Sequence, residues 1–216
     1  MIAHAVEMVL VAGLGSMTAF VGSMPVAGPL AVLVVQRSVS GQRLSAVLAA
    51  AGGGLVEGGY ALAIGLALPL LMKRIQVLVP ISQGLGAVAI TLLALALIVR
   101  PQFFDARSKQ GKRRSLMEGV AVTALNPTLL ATWTLVITTL YSHGWLELAP
   151  HSAIPFAIGV FLGTTSWFGL VAFVGHRFER RMDAKRRWVL MRALGGALLV
   201  ASVYLACRTV LSLQAS

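Results

Sequence analysis

Apolar residues are gathered along this chain into six long runs, separated by short polar or basic connectors. The runs lie near Val9 to Val35, Leu44 to Met72, Ile75 to Val99, Leu116 to Tyr141, Ile154 to Gly175 and Val189 to Leu211. A helix rises about 1.5 Å per residue, so roughly 20 apolar residues cross a hydrocarbon core about 30 Å thick. Each run therefore predicts a transmembrane helix. Lys73-Arg74 alone separates the second run from the third. Ahead of the first run, Ile2 to Glu7 carries no Lys or Arg, and the run is longer than a signal-peptide core, so an uncleaved first span is expected.

Composition agrees with lipid as the solvent. The 216 residues are 57% hydrophobic and 12% charged, with a mean hydropathy of +0.84. Soluble domains carry roughly 25% charged residues. The net charge of +11 would suit nucleic acid, but its placement argues otherwise. Of the 18 Lys and Arg, all but Lys73, Arg74 and Arg208 fall in the first, third and fifth connectors. Short basic turns between apolar runs are topology signals that face anionic lipid headgroups in the cytoplasm. Both termini are then expected on the non-cytoplasmic side, with no nucleic acid partner. Tyr141 and Trp145 outside and Trp188 inside suit interfacial aromatic belts. The one cysteine, Cys207, lies in an apolar run and reads as a packing residue.

The six runs divide into two three-helix units, residues 1–99 and 115–216, joined by a basic cytoplasmic connector at 100–114, all within one membrane domain. An odd number of spans per unit makes such repeats inverted. Thr18 to Pro25 in the first run aligns weakly with Val120 to Pro127 in the fourth, and both carry a helix breaker. Pro25, Gly28 and Pro29 interrupt the first run, and Asn126-Pro127 the fourth. Each proline removes a backbone donor and clashes with the preceding turn, and lipid satisfies none of the freed carbonyls. Broken backbone at that depth belongs inside the bundle or beside a watered cavity. A packing kink explains one such break; two at matching places point to a transporter site, where exposed N–H groups suit a carboxylate.

Glu57 lies near the middle of the second run, the one ionisable residue so deeply placed. An ionised carboxylate there costs about 2.5 kcal/mol or more, so Glu57 is expected to face the bundle interior, coupling proton movement to transport or holding a substrate amine. A protonated glutamate bonded across helices for packing is the alternative. The glycines Gly52 to Gly54, Gly58, Gly59, Gly159 and Gly163 read first as sites of close helix packing. Thr164, Thr165, Ser166, Ser82 and Gln83 are polar groups of unassigned depth. The histidines His4, His143, His151 and His176 fall near run ends or in connectors and read as solvated, with no metal site expected. No nucleophile elbow, phosphate-binding loop or metalloprotease motif is present, which argues against an enzyme or an ATP-driven pump, and no cofactor is expected.

These residues resemble the lysine exporter (LysE) family. The resemblance rests on Met24-Pro25-Val26-Ala27-Gly28-Pro29 followed by Arg37 and Gly41, on Val56-Glu57-Gly58-Gly59-Tyr60, on Thr123-Ala124-Leu125-Asn126-Pro127, and on Gly159 to Gly163 with Trp167. It runs in the same order over nearly the whole chain. Ala27 looks like a one-residue insertion, and Glu57 stands where Asp is more usual. The resemblance implies an all-α integral membrane protein that exports amino acids or related small metabolites across the bacterial inner membrane, driven by an ion gradient, here taken as protons. Pro25, Gly28, Pro29, Glu57, Asn126 and Pro127 would then border the substrate and coupling site. A homodimer is among the assembly states it allows. A passive channel and a non-transporting membrane scaffold stay open as other classes.

Overall fold

The computed structural model describes residues 2–24, 28–71, 111–126, 128–147 and 149–179, together with isolated positions between 88 and 99 and between 189 and 203. The described residues are all-helical: α1 (Ile2–Gly22), α2 (Pro29–Val39), α3 (Arg43–Leu71), α4 (Lys112–Ala124), α5 (Thr128–Ser142) and α6 (Pro150–Glu179). Three of these, α1, α3 and α6, are long and apolar enough to cross a membrane, and α4 with α5 makes a fourth candidate, bent by 72° at its break. These six helices are not the six expected spans one for one. The first and fourth runs each divide in two, whereas the third and sixth lie almost entirely outside the described residues, with Lys73, Arg74, Ser82, Gln83, Trp188 and Cys207. The first run is also misjudged at its edges. Helix α1 starts at Ile2 rather than Val9, because a polar His4 and Glu7 on an exposed face do not interrupt a helix.

The helix ends follow local chemistry. Pro29 opens α2, where a missing N–H and a fixed φ suit the first turn. At its other end Gly41 takes φ 80°, its N–H bonds to Ser38 O at 3.2 Å, and Gln42 N–H bonds to Arg37 O at 2.9 Å. This is a glycine-terminated C-cap, and the left-handed φ is what requires Gly41. Gly144 ends α5 in the same way, at φ 70°, with Trp145 N–H on Leu140 O at 2.9 Å. Between α4 and α5, the Asn126 side-chain oxygen accepts from Thr128 N–H at 3.3 Å and from the Thr128 hydroxyl at 2.6 Å. It thus serves as the cap from which the chain restarts.

Helix α6 is the axis of the packing, with α1, α2 and α3 against it. The contacts are made by glycine. A Cβ at Gly159 or Gly163 would run into the α1 backbone at Ala12 and Ser16, and one at Gly15 into Phe156 O. Gly52 and Gly119 bring α3 and α4 together likewise, against Leu116 O and Ala49 O, and Gly58 meets Ala157 O. With lipid as apolar as leucine, close backbone approach supplies the association that burial supplies in water. A Cβ at Gly59 would meet nothing within 4 Å among the described residues. Larger side chains fill two clusters around these crossings, one built on Trp133, Ile137, Phe156 and Val160, the other on Leu30, Val34 and Phe168. The outer face of α1 displays Val9, Leu10 and Met17, each about two-thirds or more exposed, as a lipid-facing helix does.

Among the described residues, one connector charge is not on the surface. Arg37 is buried and pairs with Glu118 of α4, which also takes Arg114 at 3.3 Å, while Arg37 Nη1 donates to Gln42 Oε1 at 2.9 Å. A residue counted as a topology signal is therefore also a tie between the two halves of the chain. Breaking a fully buried pair costs roughly 3–5 kcal/mol, and removing both partners costs less because no charge is stranded. Glu118 is 28% exposed, so a smaller loss, of about 2 kcal/mol, is expected for Arg37→Met or Glu118→Ala alone. The double variant should recover part of it. Unfolding midpoints of the four proteins in detergent check this; additive losses would mean that the pair is not coupled.

Candidate functional site

The chain breaks are where the interior opens. A cavity of about 140 Å³ lies between the end of α1, the start of α2, the middle of α3 and the α4–α5 break. It has room for on the order of ten water molecules. Gly28, Pro29, Glu57 and Asn126 all border it. Pro25 and Pro127 lie outside the described residues.

Glu57 sits at the midpoint of the 29-residue α3 and is 8% exposed. Its Oε2 accepts a hydrogen bond from the buried Thr164 hydroxyl of α6 at 2.8 Å. The Trp133 indole is the second polar group turned toward this carboxyl, short of strict hydrogen-bond geometry. An edge-on contact with Phe156, at 6.3 Å between ring centres, holds that indole. Among the described residues lining the cavity there is no Lys, Arg or His. The carboxyl is thus oriented by one hydroxyl and has no cation opposite it in the cavity wall.

The N-terminus of α2 borders the same cavity. Its cap, Gly28, has an extended backbone and no side chain to satisfy the first turn. The first intrahelical bond is Val32 N–H to Gly28 O at 3.1 Å, so the N–H groups of Leu30 and Ala31, which border the cavity, precede the ladder. Free N–H groups at the positive end of a helix favour an anionic group. Asn126 contributes less than its chemistry offers, since its acceptor is occupied by Thr128. Its amide NH₂ is what remains for the cavity. The last turn of α4 is held by Tyr60 of α3, whose hydroxyl donates to Ala124 O at 3.0 Å.

Sequence reasoning did not single out Trp133, Thr123 or Thr18, which also line the cavity. Thr123 was visible only as part of the motif before Asn126; its buried hydroxyl has no hydrogen-bond partner. Polar residues within about two turns of a predicted helix break were the available signal.

The arrangement combines a buried carboxyl, unpaired hydroxyls and helix-terminal N–H groups around a space the size of a small metabolite, in a bundle of membrane-length helices. No curated protein and no solved structure matches this chain. The profile of one family does, over residues 20–209, which takes in α2 to α6 and, Thr18 and Ala19 excepted, the residues lining the cavity: the chain belongs to the LysE type translocator family, membrane transporters rather than enzymes.

Proposed function

We propose that this translocator is a secondary active exporter of amino acids or related small metabolites in the bacterial inner membrane, coupled to the proton gradient, with Glu57 as the coupling residue. The observation that carries the proposal is the pairing of Glu57 with the open start of α2 at one cavity. A zwitterion presents an ammonium group and a carboxylate a few ångströms apart. The first suits Glu57, and the second suits the Leu30 and Ala31 N–H groups. Pro25, Gly28, Pro29, Asn126 and Pro127 then serve to break the helices and expose backbone to the substrate. When the site is empty of substrate, a proton is the cation that neutralises Glu57.

Alternating access by two inverted three-helix repeats goes with this reading. In its support, α1–α2 and α4–α5 both run helix, break, helix, although the break comes after 21 residues in one and 13 in the other. The orientation with both termini outside the cytoplasm rests on the Lys and Arg distribution. A cysteine at the exposed Ser142 should then be labelled by an impermeant reagent from outside intact cells, and labelling only after permeabilisation would reverse the orientation.

Uptake of labelled amino acids into inverted membrane vesicles tests the function. Accumulation of at least one amino acid is expected when a proton gradient is imposed and should collapse with a protonophore. Saturable uptake that ignores the gradient would remove the coupling, and non-saturable flux would identify a channel.

A further inference from the structure

We propose that His4, Glu7, Glu147 and His151 form a binding site for a transition-metal cation of the Zn²⁺ class, clamping the start of α1 to the start of α6 at the rim of the bundle. The site is separate from the cavity at Glu57 and does not rest on the transport reading.

Two pairs of side chains converge here from distant parts of the sequence. His4 and Glu7 are three apart on α1 and share a helix face, while Glu147 lies in the connector just before α6 and comes within 3.8 Å of His151 in its first turn. The Glu7 carboxylate lies between the two imidazoles, with Oε2 3.6 Å from His4 Nδ1 and Oε1 4.0 Å from His151 Nε2. His151 Nε2 is in turn 3.8 Å from Glu147 Oε2. One donor atom each from Glu7, Glu147 and His151 falls within 4.8 Å of the others, and the His4 ring centre is 6.0 Å from that of His151.

Tetrahedral coordination with bonds of about 2.0–2.2 Å places neighbouring donors about 3.3–3.6 Å apart. The contacts at 3.6, 3.8 and 4.0 Å lie close to that range, and the Glu7, Glu147 and His151 donors, within 4.8 Å of one another, need to close by up to about an ångström at the widest pair; all four side chains are 45–77% exposed and free to do so. Two nitrogen donors select against Ca²⁺ and Mg²⁺, which prefer all-oxygen shells, and suit Zn²⁺ and its neighbours. No sequence motif announces the site, because its halves stand 140 residues apart on the chain and meet only through the Gly159 crossing of α1 and α6.

The test uses the full-length, untagged protein in detergent, stripped of metal and titrated with Zn²⁺ against a chromophoric chelator. One Zn²⁺ per chain is expected, with a rise in the unfolding temperature. Glu147→Gln and His151→Ala should each weaken binding about tenfold or more and abolish the thermal shift, while leaving the metal-free unfolding temperature unchanged. His143→Ala, a nearby histidine outside the cluster, should bind as wild type. Absence of Zn²⁺ binding by the wild type, or equal binding by the His4→Ala/His151→Ala double variant, overturns the proposal; so does equal competition by Ca²⁺.

Discussion

Glu57→Gln should abolish gradient-driven export while leaving expression and thermal stability close to wild type. The substitution keeps the length and shape of the side chain, and the Thr164 hydroxyl still finds a carbonyl oxygen to donate to. No ion pair among the described residues is broken, because none meets the carboxyl in the cavity wall. What disappears is titration and the attraction for a cation. A hydrogen bond to a charged group contributes about 1.5–3 kcal/mol, which as an ammonium contact corresponds to roughly a 10- to 150-fold loss of substrate affinity. With Glu57 as the proposed proton site, its loss should remove uphill transport altogether. Glu57→Asp withdraws the carboxyl by one methylene from Thr164 and should keep partial activity. Counterflow separates the two duties: it survives in the Gln variant if Glu57 carries protons only, and fails if Glu57 also grips the substrate. Transport against a gradient at the wild-type rate by Glu57→Gln in vesicles would make Glu57 a packing residue.

The largest effect on folding is expected at Gly159. A Cβ there meets backbone atoms of Ala12 and Ser16, which unlike side chains have no rotamer to move into, so α1 must separate from α6. Overpacking by a methyl group typically costs about 1–3 kcal/mol. That is the range expected for Gly159→Ala, and Gly159→Leu should yield no folded protein. The comparison is with Gly13→Ala and Gly169→Ala, which lie inside the same two helices with nothing among the described residues within 4 Å of the added carbon. Those should be neutral or stabilising by up to about 1 kcal/mol through helix propensity. Unfolding in a denaturing detergent titration ranks the four variants. A Gly159→Leu protein as stable as Gly13→Ala would mean that the helices do not pack through this glycine.

What could be read from the sequence was what depends on neighbours along the chain. The second run, expected at Leu44 to Met72, is α3 at Arg43–Leu71, because an unbroken apolar stretch bounded by charge has one reading. The interruptions near Gly28 and Asn126 follow from proline, whose effect is local. The packing role of Gly52, Gly159 and Gly163 was legible too, since removing side chains at helical spacing has few other uses. Partners distant in sequence were not. Thr164 is 107 residues from Glu57 and Arg37 is 81 from Glu118; which face of each helix meets which is fixed by the crossings, and a string of Val, Leu and Ala encodes that rotation only weakly. Arg37 misled for the same reason: charge at a run's edge predicts exposure, and only the approach of α4 buries it. Asn126 looked like a ligand group because its polarity was conspicuous; its bonding to Thr128 shows that much of that polarity restarts a helix.

The midpoint position of Glu57 in a membrane-length helix has an electrical consequence. A full crossing of the membrane is worth about 2.3 kcal/mol per elementary charge at 100 mV. A proton that reaches the centre of α3 from either side has crossed about half of that field, or roughly 1.2 kcal/mol. Occupancy of such a carboxyl therefore depends on voltage as well as on pH, by about sevenfold per 100 mV. On the proposed coupling role, an energised membrane, negative inside, draws protons from the outside toward Glu57 and on to the cytoplasm. The electrical component of the proton-motive force acts on this residue even where the two solutions have the same pH.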